Sequence, residues 1–361
     1  MAKSIAFKCT YLLTAFVAVA MTFSQVGCDT QLTDSTGNNS QPWPEQPTPW
    51  QYQNQPQQQG QPAPQTNPAP AANPNAGSAA NNDTAPEQII IGSFNIQSFG
   101  KAKMSKPAVV GALVDIARRF DILAIQELRE KDQTVIPEFL NHINQNGAAY
   151  AAAVGPRQGY VVTGKTTRYF EQSVFIYDTA TIEIVGNSYA ATDRANIMHR
   201  PPFVGQFRCK TANPNRQPFS FNLMNVHIDP DDAHQEFIAL QPIINEIYQQ
   251  HPREDDFILL GDFNDEPHKY ARYQWMRQQH AALPPQWKTN TALTKAYDNI
   301  VFDKAFTAEF TGEAGVMNLM EEFQIGKEDA KHISDHMPVW AVFSSYEALP
   351  ARQAAAPAAI R

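Results

Sequence analysis

The sequence predicts an α/β layered domain, with sheets inside and helices outside, preceded by a long segment that does not belong to it. Two observations predict the layering. Short apolar or β-branched runs with strand character alternate with stretches whose apolar residues recur at helical spacing, and later strand-like runs follow one another directly. A third observation sets the boundary, because residues 29–86 hold 11 Gln, 11 Pro and 8 Asn but no Lys, Arg, Ile, Val, Met or Phe. Such a stretch buries too little apolar surface to offset the entropy of ordering it, so it reads as disordered linker.

At the N-terminus, Lys3 and Lys8 precede the mostly apolar run Tyr11–Phe23, which Ser24, Gln25, Val26, Gly27 and Cys28 follow. A basic start, a short apolar stretch and a small residue before a cleavage point are the parts of an export signal, so residues 1–27 are expected to be a signal peptide. The segment is similar to bacterial lipoprotein signals, which implies that Cys28 is lipidated and anchors the mature chain to a membrane. Gln25 stands where such signals usually carry an aliphatic residue, and an ordinary secretory signal with an incidental cysteine is the alternative. In both cases the chain is expected to be exported, either membrane-anchored or free in the periplasm or outside the cell. If Cys28 is anchored, the linker, 28–87, would act as a tether with an r.m.s. reach of roughly 40 Å.

The domain proper is expected over 88–347, with a disordered tail at 348–361. Ile89–Ile96, Asp121–Leu128, Phe170–Tyr177, Phe219–Ile228, Phe257–Phe263 and His336–Phe343 read as strands. Pro107–Phe120 reads as a helix, with Val110, Leu113, Ile116 and Ala117 on one face, Ser105 as its cap and Pro107 in its first turn. Asp232–Gln249 repeats the pattern through Phe237, Leu240, Ile243, Ile244 and Ile247.

Composition excludes several functions. Cys209 is the only cysteine between Glu87 and Glu347, so neither an internal disulfide nor a cysteine metal site is available there. No apolar run in that region approaches the ~20 residues of a membrane span. With 24 Lys and Arg against 32 Asp and Glu, the domain offers no broad basic face for nucleic acid. A polyanion would have to be held locally, by a few Arg and a metal ion.

Polar residues gather at the strand ends. In chain order these are Asn95, Glu127 with Arg129, Glu171, Arg200, His227, Asp262 with Asn264, Asp298, and Asp335 with His336. Any one of the carboxylates is more readily read as a cap or turn former. Together, carboxylates and Asn without Cys make an all-oxygen site suited to a hard divalent cation such as magnesium. Two histidines beside apolar strand residues suit a general acid and a general base, since imidazole titrates near neutrality. The other seven, His199 among them, read as surface or loop residues; Asp231, Asp232 and Glu254–Asp256 read as solvated charge flanking helices.

The motifs FNIQSFG, IQELRE, RYFEQSVF, NVHID, GDFND, AYDNIVF and ISDHMPV resemble, in order, those of the endonuclease/exonuclease/phosphatase superfamily, most of all its deoxyribonuclease I branch. GDFN and SDH are common to the whole superfamily. Arg129, the Tyr169, Phe170, Glu171 triplet and Arg200 are the more specific signals. The resemblance implies a four-layer sandwich of two packed mixed β-sheets flanked by helices, and a low-specificity DNA endonuclease dependent on magnesium or manganese. It also implies roles. Asn95, Glu127 and Asp335 would hold the cation. His336, oriented by Asp298, would serve as base, and His227, oriented by Glu171, as acid. Asp262 and Asn264 would position phosphate or water, Arg200 would contact phosphate, and Arg129 and Tyr169 would enter a DNA minor groove, whose degenerate code suits low selectivity. Animal deoxyribonuclease I carries disulfides, whereas Pro267 and Lys295 occupy the corresponding region here. The segment WKTNTALTK lacks the acid and Thr series of the family's calcium loop, so no structural calcium is expected there. A phosphatase or sphingomyelinase-like enzyme of the same fold is the first alternative, and a catalytically silent surface-binding module the second. No protein partner can be inferred.

Overall fold

The computed structural model describes residues 86–161 and 168–348. The expected signal peptide, Cys28, all of the linker but its last two residues, and the tail beyond Ala348 lie outside the described residues. Within them the chain builds one sheet, leaves it for a second, and returns to the first. The opening strands are β1 (Gln88–Phe99), β2 (Ile122–Leu128), β3 (Tyr150–Val154), β4 (Gln158–Val161) and β5 (Arg168–Asp178). The second sheet uses β6 (Ile182–Ile184), β7 (Tyr189–Ala190), β8 (Phe203–Cys209), β9 (Ser220–His227), β10 (Phe257–Asp262), β11 (His280–Ala281) and β12 (Asp298–Phe302). Finally β13 (Phe310–Val316) and β14 (Val339–Ser344) complete the first.

The sheet orders are β13-β14-β1-β2-β5-β3, with β4 on β5, and β11-β12-β10-β9-β8-β6, with β7 on β8. Each is mixed, because one central pair is parallel in each sheet, β1 with β2 and β9 with β10, and the others are antiparallel. This is the four-layer α/β sandwich. Side chains of β9 and β10 alternate accordingly: Leu223, Ile258 and Leu260 join the core shared with the first sheet, while Met224, Phe257 and Leu259 pack with the helix Ala233–Gln250 through Phe237, Leu240 and Ile243. Burial on both faces explains why FILLGDF reads as an unbroken apolar run. Between the sheets Phe175 stacks on Phe203 at 5.3 Å and meets Phe207 edge-on. Each such ring, fully buried, contributes about 2 kcal/mol relative to exposure.

One buried polar tie crosses the sheets close to the site. Gln126 Nε2 donates to Asn225 Oδ1 at 2.8 Å, and Asn225 Nδ2 donates to the carbonyls of Ile125 and Val174. Among the described residues no helix is long and apolar enough to cross a membrane.

The structure departs from expectation in places. The strand expected from His336 begins only at Val339, since Pro338 has no N–H to give a ladder; His336 stands in the approach to it. Ser105 does not cap the helix Pro107–Ala117, because Lys106 holds that position and the Ser105 hydroxyl donates instead to Ala102 O.

Candidate active site

The parallel pairs decide where chemistry gathers. The C-terminal ends of β1 and β2 present Asn95 and Glu127, those of β9 and β10 present His227 and Asp262, and the start of β12 presents Asp298 at the same end. Ligand sites in α/β sheets favour such strand ends. Gly261 is required beside Asp262: its φ is +144°, and a Cβ there would lie 1.9 Å from Val226 O. The backbone bulges after Asn95, with Gln97 at φ +23° and Ser98 at +54°, and Glu127 itself sits at +64°. Left-handed non-glycine residues in strands are strained, and such strain concentrates at functional sites.

Two imidazole–carboxylate pairs face each other in the cleft. His227 Nδ1 lies 2.6 Å from Glu171 Oε1, and His336 Nδ1 lies 2.9 Å from Asp298 Oδ2. Their Nε2 atoms stand 3.6 and 3.5 Å from the same atom, Asp262 Oδ2, so they are separated by no more than the sum of those distances, about 7 Å. Asn95 Nδ2 donates to that oxygen at 3.1 Å and to Glu127 Oε1 at 3.3 Å. Burial lowers the His227 pKa, but Glu171 outweighs it and the net shift is upward. In His336 burial is likewise outweighed, by Asp298 and Asp262, and the ring is held well above its ordinary value. Burial raises Asp262, against the two rings. Glu171 is lowered, because His227 and Arg200 overcome its burial.

The remaining expected residues come together around these pairs. Arg200 Nε donates to His227 O at 3.0 Å and its Nη2 lies 3.4 Å from Asp229. Asn264, at φ +47°, gives its backbone N–H to Asp262 Oδ1 and its side-chain amide to Ile228 O. Arg129, 37% exposed, reaches Glu127 at 2.9 Å and Glu171 at 3.8 Å. Tyr169 lies opposite Tyr160 in the β4–β5 ladder, but its side chain lies outside the described residues. The cleft, of about 640 Å³, is lined by Glu127, Arg129, Arg200, both rings and Asp262.

The donor set fits a hard divalent cation. Glu127 and Asp335 offer carboxylate oxygens, and Asp335 Oδ1 is buried without a hydrogen-bond partner. Asn95 turns its nitrogen to the acids and its oxygen to Gln97 N, an amide orientation that would reverse to present oxygen to an ion.

Several contributors were not evident in the sequence. Lys103 Nζ, buried, donates to the carbonyls of Ile96 and Ile333, tying the segments that carry Asn95 and Asp335; burial lowers its pKa to about 8 against the pull of Asp335 and Glu127. Ser334 Oγ donates to Asn95 O and accepts from His336 N. Thr289 Oγ1 donates to Asp298 Oδ2 at 2.7 Å. His199, expected at the surface, lines the cleft and stacks on Tyr160 with ring centroids 4.0 Å apart, while its Nε2 lies 3.0 Å from Asp232. Ser334 stands in the ISDHMPV motif without its role being legible there, and the other three lie in none of the motifs; the segment TNTAL gives one further signal, its Thr residues nine and seven positions before Asp298.

An α/β sandwich whose two sheets cross-support a pair of imidazoles in an acidic cleft is hydrolase architecture. The chain belongs to the endonuclease/exonuclease/phosphatase family, whose model matches residues 92–336. It is similar to Deoxyribonuclease-1 of Gallus gallus, 28% identical over 69% of this chain and 90% of that protein. Deoxyribonuclease-1-like 1 of Chlorocebus aethiops is 30% identical over 68% of this chain and 82% of that protein. Among solved structures, the human Nocturnin catalytic domain matches with a TM-score of 0.47 and 15% identity, over 72% of this chain and 93% of that one.

Proposed function

We propose that the protein is an exported phosphodiesterase, dependent on magnesium or manganese, that cuts DNA internally with little sequence preference. The observation that carries this reading is the placement of two imidazole Nε2 atoms against one oxygen of Asp262, each ring aimed by its own carboxylate. Nε2 atoms no more than about 7 Å apart can both reach a single phosphate.

A phosphodiester is anionic and repels a nucleophile until its charge is spread. A divalent cation held by Asn95, Glu127 and Asp335 would supply that neutralisation at a phosphate oxygen. Arg200, fixed by His227 O and Asp229, offers a second positive charge beside the ring. His336, neutral when it acts, takes a proton from the attacking water at Nε2, and Asp298 holds the ring so that Nε2 faces the cleft; a cation on the adjoining Asp335 would oppose the carboxylates that raise that ring. His227 gives its Nε2 proton to the leaving oxygen, with Glu171 keeping the ring protonated until then. Asp262 and Asn264 position the phosphate or the water. DNA as substrate is supported by the deoxyribonucleases that the chain resembles and by Arg129 at the mouth; Arg129 and Tyr169 would reach into a minor groove. Export, and anchorage through Cys28, rest on the basic and apolar pattern of the first 28 residues.

The test is incubation of the purified protein with supercoiled plasmid, inositol polyphosphate or sphingomyelin, each with magnesium or chelator. Nicking that chelator abolishes is the expected result. Intact plasmid with hydrolysis of either other substrate would contradict it.

A further inference from the structure

At the end of the strands remote from the cleft, carboxylates crowd without a counter-charge. Asp256 precedes β10, Glu309 precedes β13 and Glu347 follows β14, and an oxygen from each lies within 4.8 Å of the others. Glu254 and Asp255 adjoin them. Among the described residues no Lys or Arg forms an ion pair with Asp256, Glu309 or Glu347. Part of the cluster is satisfied: Glu309 Oε1 accepts from Ala348 N at 2.6 Å, and Glu347 Oε1 from Ser220 N at 2.9 Å.

The rest is not. Asp256 and Glu309, 2% and 3% exposed, keep Oδ1 and Oε2 buried with no donor from elsewhere in the chain, and the two carboxyls face each other closely enough to share a proton. Thr307 is 1% exposed, and its hydroxyl approaches the Asp256 carboxyl yet makes no well-formed hydrogen bond. Orphaned buried oxygens are costly, the more so when charged, and here they converge from two stretches of chain, with Glu347 arriving from a third. A cation satisfies all of them at once.

We propose that Asp256, Glu309 and Glu347, with the Thr307 hydroxyl, form a structural site for a divalent cation of the calcium class, clamping the two sheets together at their far end. Oxygens sharing a calcium ion at roughly 2.3–2.6 Å stand up to ~5 Å apart, as these do, whereas magnesium needs a tighter and near-octahedral set. Asp256 belongs to the second sheet and Glu309 and Glu347 to the first, so the ion bridges them. It also fastens the start of β10, whose last residue is Asp262. Burial raises all three carboxyls, Asp256 to about 10 and Glu347 to about 7; repulsion by neighbouring acids adds to it at Asp256 and Glu347, whereas contact with Asp256 lowers Glu309. A shared proton is the competing way to relieve that repulsion.

The experiment is thermal unfolding of the full chain, stripped with chelator and then titrated with calcium chloride. The chains compared are wild type, Glu127→Gln, Glu309→Gln and Glu347→Gln. Calcium at about a hundred times its Kd is expected to raise the Tm of wild type and Glu127→Gln alike, by roughly 5–10 °C. Glu309→Gln and Glu347→Gln are expected to unfold cooperatively in chelator and to lose the shift. Absence of a shift in wild type would overturn the proposal in favour of a shared proton. So would a shift that Glu127→Gln abolishes, which places the ion in the cleft, or one that survives in both Glu309→Gln and Glu347→Gln.

Discussion

The two imidazoles reach the same oxygen by opposite routes. His227 is the last residue of β9 in the second sheet, and its carboxylate, Glu171, comes from β5 in the first. His336 approaches β14 in the first sheet, and its carboxylate, Asp298, opens β12 in the second. Each pair therefore spans the sandwich, and the spacing of the rings is set by how the sheets pack. The supports differ. His227 is fixed by a strand and by Arg200 on its carbonyl, whereas His336 lies in a connecting segment held by Ser334 and by Thr289 acting through Asp298. One ring is positioned by regular structure, the other by side chains.

Removing either ring should give the largest effect. His227→Ala and His336→Ala are each expected to lower kcat by about 100 to 10,000-fold on plasmid, the range of a lost general acid or base, with unfolding midpoints little changed. Near wild-type turnover in either would break the pairing.

Next come the groups that aim the rings. Glu171→Gln and Asp298→Asn are each expected to cost about 10–100-fold, as for other residues that orient a reactive group. Thr289→Val should act on the His336 side alone, a smaller loss read in kcat with KM unchanged.

Lys103→Met sharpens the contrast by loosening the His336 side only. It leaves the carbonyls of Ile96 and Ile333 without their buried donor, so chemical denaturation should show a loss of about 1–3 kcal/mol.

The smallest effect concerns pH and the His227 side. His227 is raised above 6.5, so its contribution to stability is complete below that value and is lost as pH rises through the folded pKa. Glu171 is lowered below 4.5, so its contribution is present above that value and is lost as pH falls through the folded pKa. Denaturation of wild type across this range should therefore show the pair strongest between the two, and Glu171→Gln should flatten the profile.

The same contrast marks what the sequence made legible. Strand-end residues such as Asn95, His227 and Asp262 stand in motifs, because a β-run ending in a polar group is a local pattern. The inner runs of β9 and β10 are also local, since burial on both faces makes them continuously apolar. Lys103, Ser334 and Thr289 act through contacts far apart in sequence, with Lys103 reaching Ile333, and no periodicity records that. The strand β3, Tyr150–Val154, is largely alanine and carries no β-branched signal until its last residue, so its sequence does not mark it as a strand. His199 and Asp232 reach the cleft only because the connections before β8 and after β9 fold over the same strand ends.

The most direct test of two rings sharing one phosphate uses two substrates that differ in leaving group. A nitrophenolate leaves without a proton, so on a nitrophenyl phosphodiester of thymidine His227→Ala should recover to within about tenfold of wild type, while His336→Ala stays at least about 100-fold down. On plasmid both variants should be impaired. Equal impairment of the two on both substrates would contradict the division of proton transfer between the rings.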